Sequence, residues 1–422
     1  MMQGLRQWAY RLLRRTEIYF KTDMVSLTKS GFWLAAAQGV AAVTSFLLSI
    51  AFAYFLPQEV YGHYKFFLSI AAIISAVSLT GLSIPVTQLV AQGKERALRI
   101  AFRQNIRWSI PLMLVAAAGV VYYLLQDNIL LAYGVGVIGL CAPFINGGGL
   151  YSAYWSGKSD FRTYALYWVA VNSTTALAIL MCMFLTHSEY ALVTTYFVVS
   201  AVTNMIAYLM ASRSISAHKA TADEDKIVSY SLHLSAINLL QTITSQIDRI
   251  LVFHYVGAAG MAVYAFAIAI PDQVRAVLKG AARIALPKFA TRSLDSIQQT
   301  LTAKLLRFGV VILVLTALYV VAAPYIFTWL FPKYMESVPY SQLLAATIIT
   351  VLGSMPLAAL QAHSATRELY QHAIFMNIIQ IVLTVTLIAN YGLMGAVWAT
   401  IATRFISLVV PSVLLAIRKE RS

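Results

Sequence analysis

From about residue 31 to residue 417 the chain passes through twelve unbroken apolar stretches. They lie near 31–56, 64–90, 108–126, 129–155, 164–186, 190–212, 230–254, 263–286, 304–330, 338–362, 373–390 and 393–417. About 20 consecutive apolar residues suffice for a helix to cross a bilayer. A helix can do so because it satisfies its backbone polar groups internally, where no water is present. Of the 422 residues, 60% are hydrophobic and 11% charged, against about 25% charged in a soluble domain. A soluble enzyme, a disordered chain and a secreted disulfide scaffold are thereby excluded. An outer-membrane barrel would alternate apolar and polar residues along each strand, and these runs do not. The expectation is an all-α integral membrane protein of about twelve transmembrane helices. Cys141 and Cys182 both sit inside apolar runs and read as small core hydrophobes.

The formal net charge is +15. In a soluble chain such an excess would point to nucleic acid; in a membrane chain Lys and Arg gather in cytoplasmic loops. The linkers alternate in character. Basic ones carry Lys94, Arg96, Arg99, Arg103 and Arg107; Lys158 and Arg162; Arg213, Lys219 and Lys226; Lys288, Arg292, Lys304 and Arg307; and Arg367. The others are nearly free of cations, with Lys333 the exception. All basic linkers fall on the side of both termini, which makes both termini cytoplasmic and the number of spans even. No nucleic-acid partner is expected.

The domain organisation follows. Residues 1–29 form a basic cytoplasmic or interfacial segment, with Leu5, Trp8, Leu12 and Tyr19 on one helical face. Residues 30–212 make an N-lobe of six spans, 213–229 a cytoplasmic linker, 230–417 a C-lobe of six spans, and 418–422 a basic tail. The halves look related at an offset of 200: Tyr64, Phe66 and Ile70 align with Tyr264, Phe266 and Ile270, and Ala76, Val77 and Ile84 with Ala276, Val277 and Ile284. That offset preserves each span's orientation. The repeat is therefore a parallel pseudo-twofold, and two such bundles would enclose a central cavity, as in transporters.

Soluble-enzyme motifs do not survive their context. Gly134, Gly136 and Gly139 spell a dinucleotide fingerprint, but within an apolar span and without a βαβ unit. No P-loop, zinc-protease motif or nucleophile elbow is present in the sequence. No catalytic residue, metal site or cofactor is expected.

Charges inside spans are costly and mark cavities or pathways by default. In the eighth run, Asp272, Arg275, Lys279 and Arg283 fall within an arc of about 80° at about 100° per residue, opposite Ile270, Val274, Val277 and Ala281. Asp272 lies about 14 Å from the start of that run at 1.5 Å per residue. It is placed either to neutralise Arg275 as an intrahelical pair or to serve as an ion-coupling group. Arg283 is close enough to the interface to snorkel. The seventh run carries a polar stripe of Ser235, Asn238, Gln241, Ser245 and Asp248, with Arg249 beside it. Arg404 sits near the middle of the last run, flanked by Thr400 and Ser407, and Lys65 opens the second run. The result is a cationic cavity suited to a polyanionic or pyrophosphate-bearing substrate.

Three segments carry a family resemblance. They are Val60-Tyr61-Gly62-His63-Tyr64-Lys65-Phe66 with Leu79-Thr80-Gly81-Leu82; Asp248-Arg249 followed by Gly257-Ala258-Ala259-Gly260-Met261-Ala262-Val263-Tyr264; and Asn390-Tyr391-Gly392-Leu393-Met394-Gly395-Ala396-Val397-Trp398-Ala399-Thr400. In order and spacing the chain resembles the O-antigen and lipid-linked-oligosaccharide flippases of the multidrug/oligosaccharidyl-lipid/polysaccharide exporter superfamily. The resemblance implies a MATE-like fold of two six-helix lobes, working by alternating access. It implies an undecaprenyl-diphosphate-linked oligosaccharide carried from the cytoplasmic to the periplasmic leaflet of a bacterial inner membrane, for surface polysaccharide synthesis. Coupling to H+ or Na+ is also implied, with a polymerase and a chain-length regulator as protein partners alongside the membrane lipids. The family's cationic cavity maps onto Arg249, Arg275, Lys279 and Arg404, with Asp272 and Asp248 as ion-coupling candidates. Two rival readings remain at this stage. A drug exporter of the same superfamily would usually move cations, which an Arg/Lys cavity repels. A polysaccharide polymerase would need a sizeable outer loop with converging polar groups, and the outer linkers are short.

Overall fold

The computed structural model describes residues 24–215, 224–283, 294–354, 356–357, 360 and 366–421. The amphipathic stripe expected within residues 1–29, residues 216–223 of the 213–229 linker and the side chains of Arg283 and the basic tail lie outside what is described. Among the described residues every regular element is a helix. In chain order these are α1 Met24–Phe55, α2 Gln58–Ala76, α3 Ser83–Ala91, α4 Ala97–Arg107, α5 Ile110–Leu125, α6 Ile129–Gly148 and α7 Tyr151–Gly157. They continue with α8 Phe161–Leu185, α9 Glu189–Arg213, α10 Glu224–Val256, α11 Ala258–Arg283, α12 Leu294–Leu330, α13 Ser337–Ala345 and α14 Thr366–Arg421. A 3-10 stretch, Ala346–Gly353, extends α13.

Each of the twelve apolar runs meets a helix. Among the described residues eight helical stretches are long and apolar enough to span a membrane, and α2 with α3 forms a further span bent by 71°. The bend follows Ser75, whose carbonyl accepts both the Ser78 N–H at 3.1 Å and the Ser78 hydroxyl at 2.7 Å. A side chain that bonds backbone groups in this way favours a bend or an end in a helix. The stretch Leu369–Leu414 is 46 residues long, and Gly392 divides it with φ 54 and ψ −130. That conformation is open almost only to glycine. α10 is too polar to rank with the apolar spans because of the stripe expected from the sequence, and Ser337–Gly353 is short. The chain is a multi-pass, all-helical membrane protein.

Caps set the boundaries. Asn128 opens α6 by accepting the Leu131 N–H at 3.1 Å, and Asp160 opens α8 by accepting that of Thr163 at 3.1 Å. Each satisfies one of the unpaired donors of a helix N-terminus.

The structure divides into two compact units: residues 1–51 with 71–239, and residues 52–70 with 240–422. The core of the first holds Leu82, Val86, Leu98, Tyr154 and Ala211, all nearly inaccessible. Below it, Lys158 and Glu95 form an ion pair at 3.0 Å, and Glu95 also accepts the Tyr154 hydroxyl.

An aromatic cluster ties segment 52–70 into the second unit. Tyr61 lies 4.7 Å from Phe266, Phe266 lies 4.0 Å from Tyr334, and Phe66 stacks on Phe253 at 3.8 Å between ring centres. Gly62 faces the Ala258 backbone so closely that a Cβ there would overlap its carbonyl. Lys333, the lone cation of the cation-poor linkers, donates to the Tyr54 carbonyl at 2.8 Å and the Leu56 carbonyl at 3.3 Å. It closes the C-terminus of α1, where the helix dipole favours a positive charge.

Candidate functional site

The second unit holds a cluster of charges deep in its apolar helices. Asp272 and Arg275 lie on α11, directly after Pro271, which removes a backbone donor from the helix interior. Arg404 comes from α14. Its Nη2 is 2.7 Å from Asp272 Oδ1, whereas Arg275 Nη1 is 3.5 Å from the same oxygen. The sequence left Asp272 as either an intrahelical partner of Arg275 or an ion-coupling group; in the structure it contacts Arg275, and its shorter bond crosses between helices. One carboxylate thus faces two guanidinium groups, and the cluster is net positive.

The 3-10 stretch supplies the rest. With three residues per turn, side chains three apart stack on one face, which aligns Thr347 and Thr350. Each hydroxyl donates at 2.6 Å to a carbonyl three residues back, Leu344 and Thr347 respectively. With their protons so committed, the oxygens accept: Thr347 from Arg404 Nη1 at 3.0 Å, and Thr350 from Arg275 Nη2 at 3.2 Å. Arg275 is only 8% exposed. Its Nε proton has no acceptor among the described residues. A buried donor left unsatisfied is costly, so Arg275 is the member of the cluster whose hydrogen bonding is incomplete.

A second polar knot adjoins it. The Tyr264 hydroxyl donates to Asp248 Oδ2 at 2.8 Å and lies 3.0 Å from the Thr400 hydroxyl. Thr400 is one turn from Arg404 on α14. Asp248 Oδ1 is buried with no hydrogen-bond donor among the described residues.

The other expected cations are placed differently. Arg249 is half-buried and donates at 3.0 Å to Gln246 on its own helix. The Lys65 ammonium lies 5.2 Å over the Tyr61 ring. Lys279 is exposed, one turn beyond Arg275 on α11. Sequence reasoning named Asp248, Asp272, Arg275, Thr400 and Arg404, but missed Tyr264, Thr347 and Thr350. A pair of hydroxyls three apart in an apolar run was the available signal. Among the described residues no group of three His, Cys, Asp or Glu is placed to hold a metal ion.

The sequence model of a family described as polysaccharide biosynthesis protein matches residues 51–339. No curated protein matches the chain in sequence. Among solved structures, an inward-facing multidrug resistance MATE family transporter of the MOP superfamily is similar with TM-score 0.69 and 12% identity, over 90% of this chain and 96% of that one. The lipid II flippase MurJ, in an inward closed conformation, gives TM-score 0.66 and 12% identity over 89% and 86%. A MOP superfamily transporter from Pyrococcus furiosus, whose reversed binding-pocket polarity suggests a different function for it, gives 0.60 and 14% over 92% and 95%. At these identities the likeness establishes a shared MATE-like fold.

Proposed function

This chain belongs to the polysaccharide biosynthesis protein family, and from that premise we propose that it is a flippase for undecaprenyl-diphosphate-linked oligosaccharides. It moves repeat units from the cytoplasmic to the periplasmic leaflet of a bacterial inner membrane for surface polysaccharide such as O-antigen. Both termini face the cytoplasm, and six spans within 30–212 and six within 230–417 alternate access. The observation that carries this reading is the surplus guanidinium charge around Asp272, with the unsatisfied Nε of buried Arg275. A diphosphate supplies the missing negative charge and acceptors, and Arg is the side chain best shaped to hold it. Arg249 and Lys279 add to the positive field that draws the substrate in.

Coupling runs through the two carboxylates. Protonating Asp272 releases Arg404 and Arg275 to the diphosphate. Asp248, half satisfied by Tyr264, offers its second oxygen to a proton or Na+. The lipid II flippase MurJ shares this fold, and a flippase reading is consistent with it. Export of cationic drugs fits less well, because the two guanidinium groups repel a cation. In the cell, a polymerase and a chain-length regulator would receive the product.

The test is deletion of the gene followed by weighing of the lipid-linked sugars. Complete repeat units accumulating on undecaprenyl diphosphate, with surface polysaccharide lost, support the flippase. Single repeat units at the surface would indicate a polymerase. Normal polysaccharide with new drug sensitivity would indicate an exporter.

A further inference from the structure

The first unit carries a groove that substrate movement does not explain. α8 and α9 form a hairpin, and between them opens a cavity of about 430 Å3. Leu166, Ala170 and Thr174 line it from α8, and Thr203, Ile206 and Met210 from α9. Thr203 spends its hydroxyl proton on its own helix, at the Val199 carbonyl 2.8 Å away. The lining, which also includes Tyr167 and Val171, is overwhelmingly hydrocarbon and suits a chain rather than a sugar.

One end of the groove is cationic. Arg162 precedes Leu166 by four residues and Arg213 follows Met210 by three, so each extends the lining face of its helix by about one turn. Both are exposed. The Arg162 guanidinium lies 5.6 Å from the Trp33 ring, which holds it at that end. A third guanidinium is anchored nearby, with Arg99 Nη2 donating to the Ser212 carbonyl at 3.0 Å. Hydrocarbon gains little by leaving lipid for such a groove, since lipid tails are equally apolar. Selectivity must then come from the charges at the mouth, and those select a phosphate headgroup of net negative charge.

We propose that the α8–α9 groove seats one chain of an anionic phospholipid, its phosphate held between Arg162 and Arg213. The site lies within one unit and stands apart from the flippase reading.

Native mass spectrometry of the full-length protein tests this after reconstitution in equal phosphatidylglycerol and phosphatidylcholine. The wild type should retain one phosphatidylglycerol in preference to phosphatidylcholine. Arg162→Gln with Arg213→Gln should lower that preference about tenfold, as expected for removing interfacial cations. Ala170→Trp and, separately, Thr174→Phe fill the groove and should lose the retained lipid while remaining monodisperse. An unchanged preference without the two arginines would overturn the proposal. So would lipid retained by both groove-filling variants. Displacement of the phosphatidylglycerol by added undecaprenyl phosphate would assign the groove to a polyprenyl chain instead, and would also overturn it.

Discussion

Arg404 bonds Asp272 more closely than Arg275 does, at 2.7 Å against 3.5 Å, although Arg275 is only three residues from Asp272 on the same helix. The carboxylate thus acts as a clasp between α11 and α14. A double-mutant cycle should find about 1–2 kcal/mol of coupling between Asp272 and Arg404, and less between Asp272 and Arg275. Unfolding of the single and double variants in detergent measures both. Equal couplings would mean that the interhelical bond does not dominate.

The same clasp predicts a separation of functions. Asp272→Asn removes the negative charge and the group that would titrate, while leaving both guanidiniums. Gradient-driven transport should be abolished and binding of the lipid-linked diphosphate kept. Undiminished transport in that variant would remove Asp272 from any coupling role.

Gly392 stands at φ 54 and ψ −130, where α14 breaks. Gly392→Ala should cost about 1–3 kcal/mol, the usual strain of placing a side chain there. A lower melting temperature and a smaller monodisperse yield would register it. An unchanged melting temperature would show that the break relaxes freely.

Lys333 caps α1 with two carbonyl contacts from an exposed position. Lys333→Met should cost at most about 1 kcal/mol at low salt and less at high salt, because a cation at a helix C-terminus is screened. Melting curves at two ionic strengths separate this from a loss of packing.

Lys158 yields a pH prediction. Burial pulls its ammonium down, but the hydrogen bonds to Tyr154 and Glu95 outweigh this and hold it above the ordinary lysine value. A group raised on folding stabilises fully below its unfolded pKa, and that contribution disappears as pH rises through the folded one. Stability should therefore be flat in this respect up to the ordinary lysine range and fall above it. Lys158→Met should remove that alkaline component, as read from melting temperature against pH.

Much of this architecture was legible because membrane physics leaves so few options. Unbroken apolar runs must be helices, and a charge inside one must face something other than lipid. Arg275, Asp272 and Arg404 stood out for that reason. Their pairing did not, because a residue three positions away is an obvious partner and one on another helix is visible only after packing. Thr347 and Thr350 looked like ordinary threonines until the 3-10 stretch aligned them. The bend between α2 and α3 carries a Ser78 hydroxyl bonded to a backbone carbonyl, which leaves no mark on hydropathy. Gly62 and Gly392 lay inside the segments that carried the family resemblance. Close approach to Ala258 and a left-handed backbone give the physical reasons for glycine at each.

The central claim is that the guanidinium pair moves a lipid-linked diphosphate sugar. Its most direct measurement is transfer of an undecaprenyl-diphosphate oligosaccharide between leaflets of vesicles containing the purified protein, with and without an ion gradient. The account predicts gradient-dependent transfer by the wild type and at least about a tenfold loss in Arg275→Gln and Arg404→Gln, the size of one charge-assisted hydrogen bond. Absence of transfer by the wild type, with a cationic dye moved in its place, would contradict it.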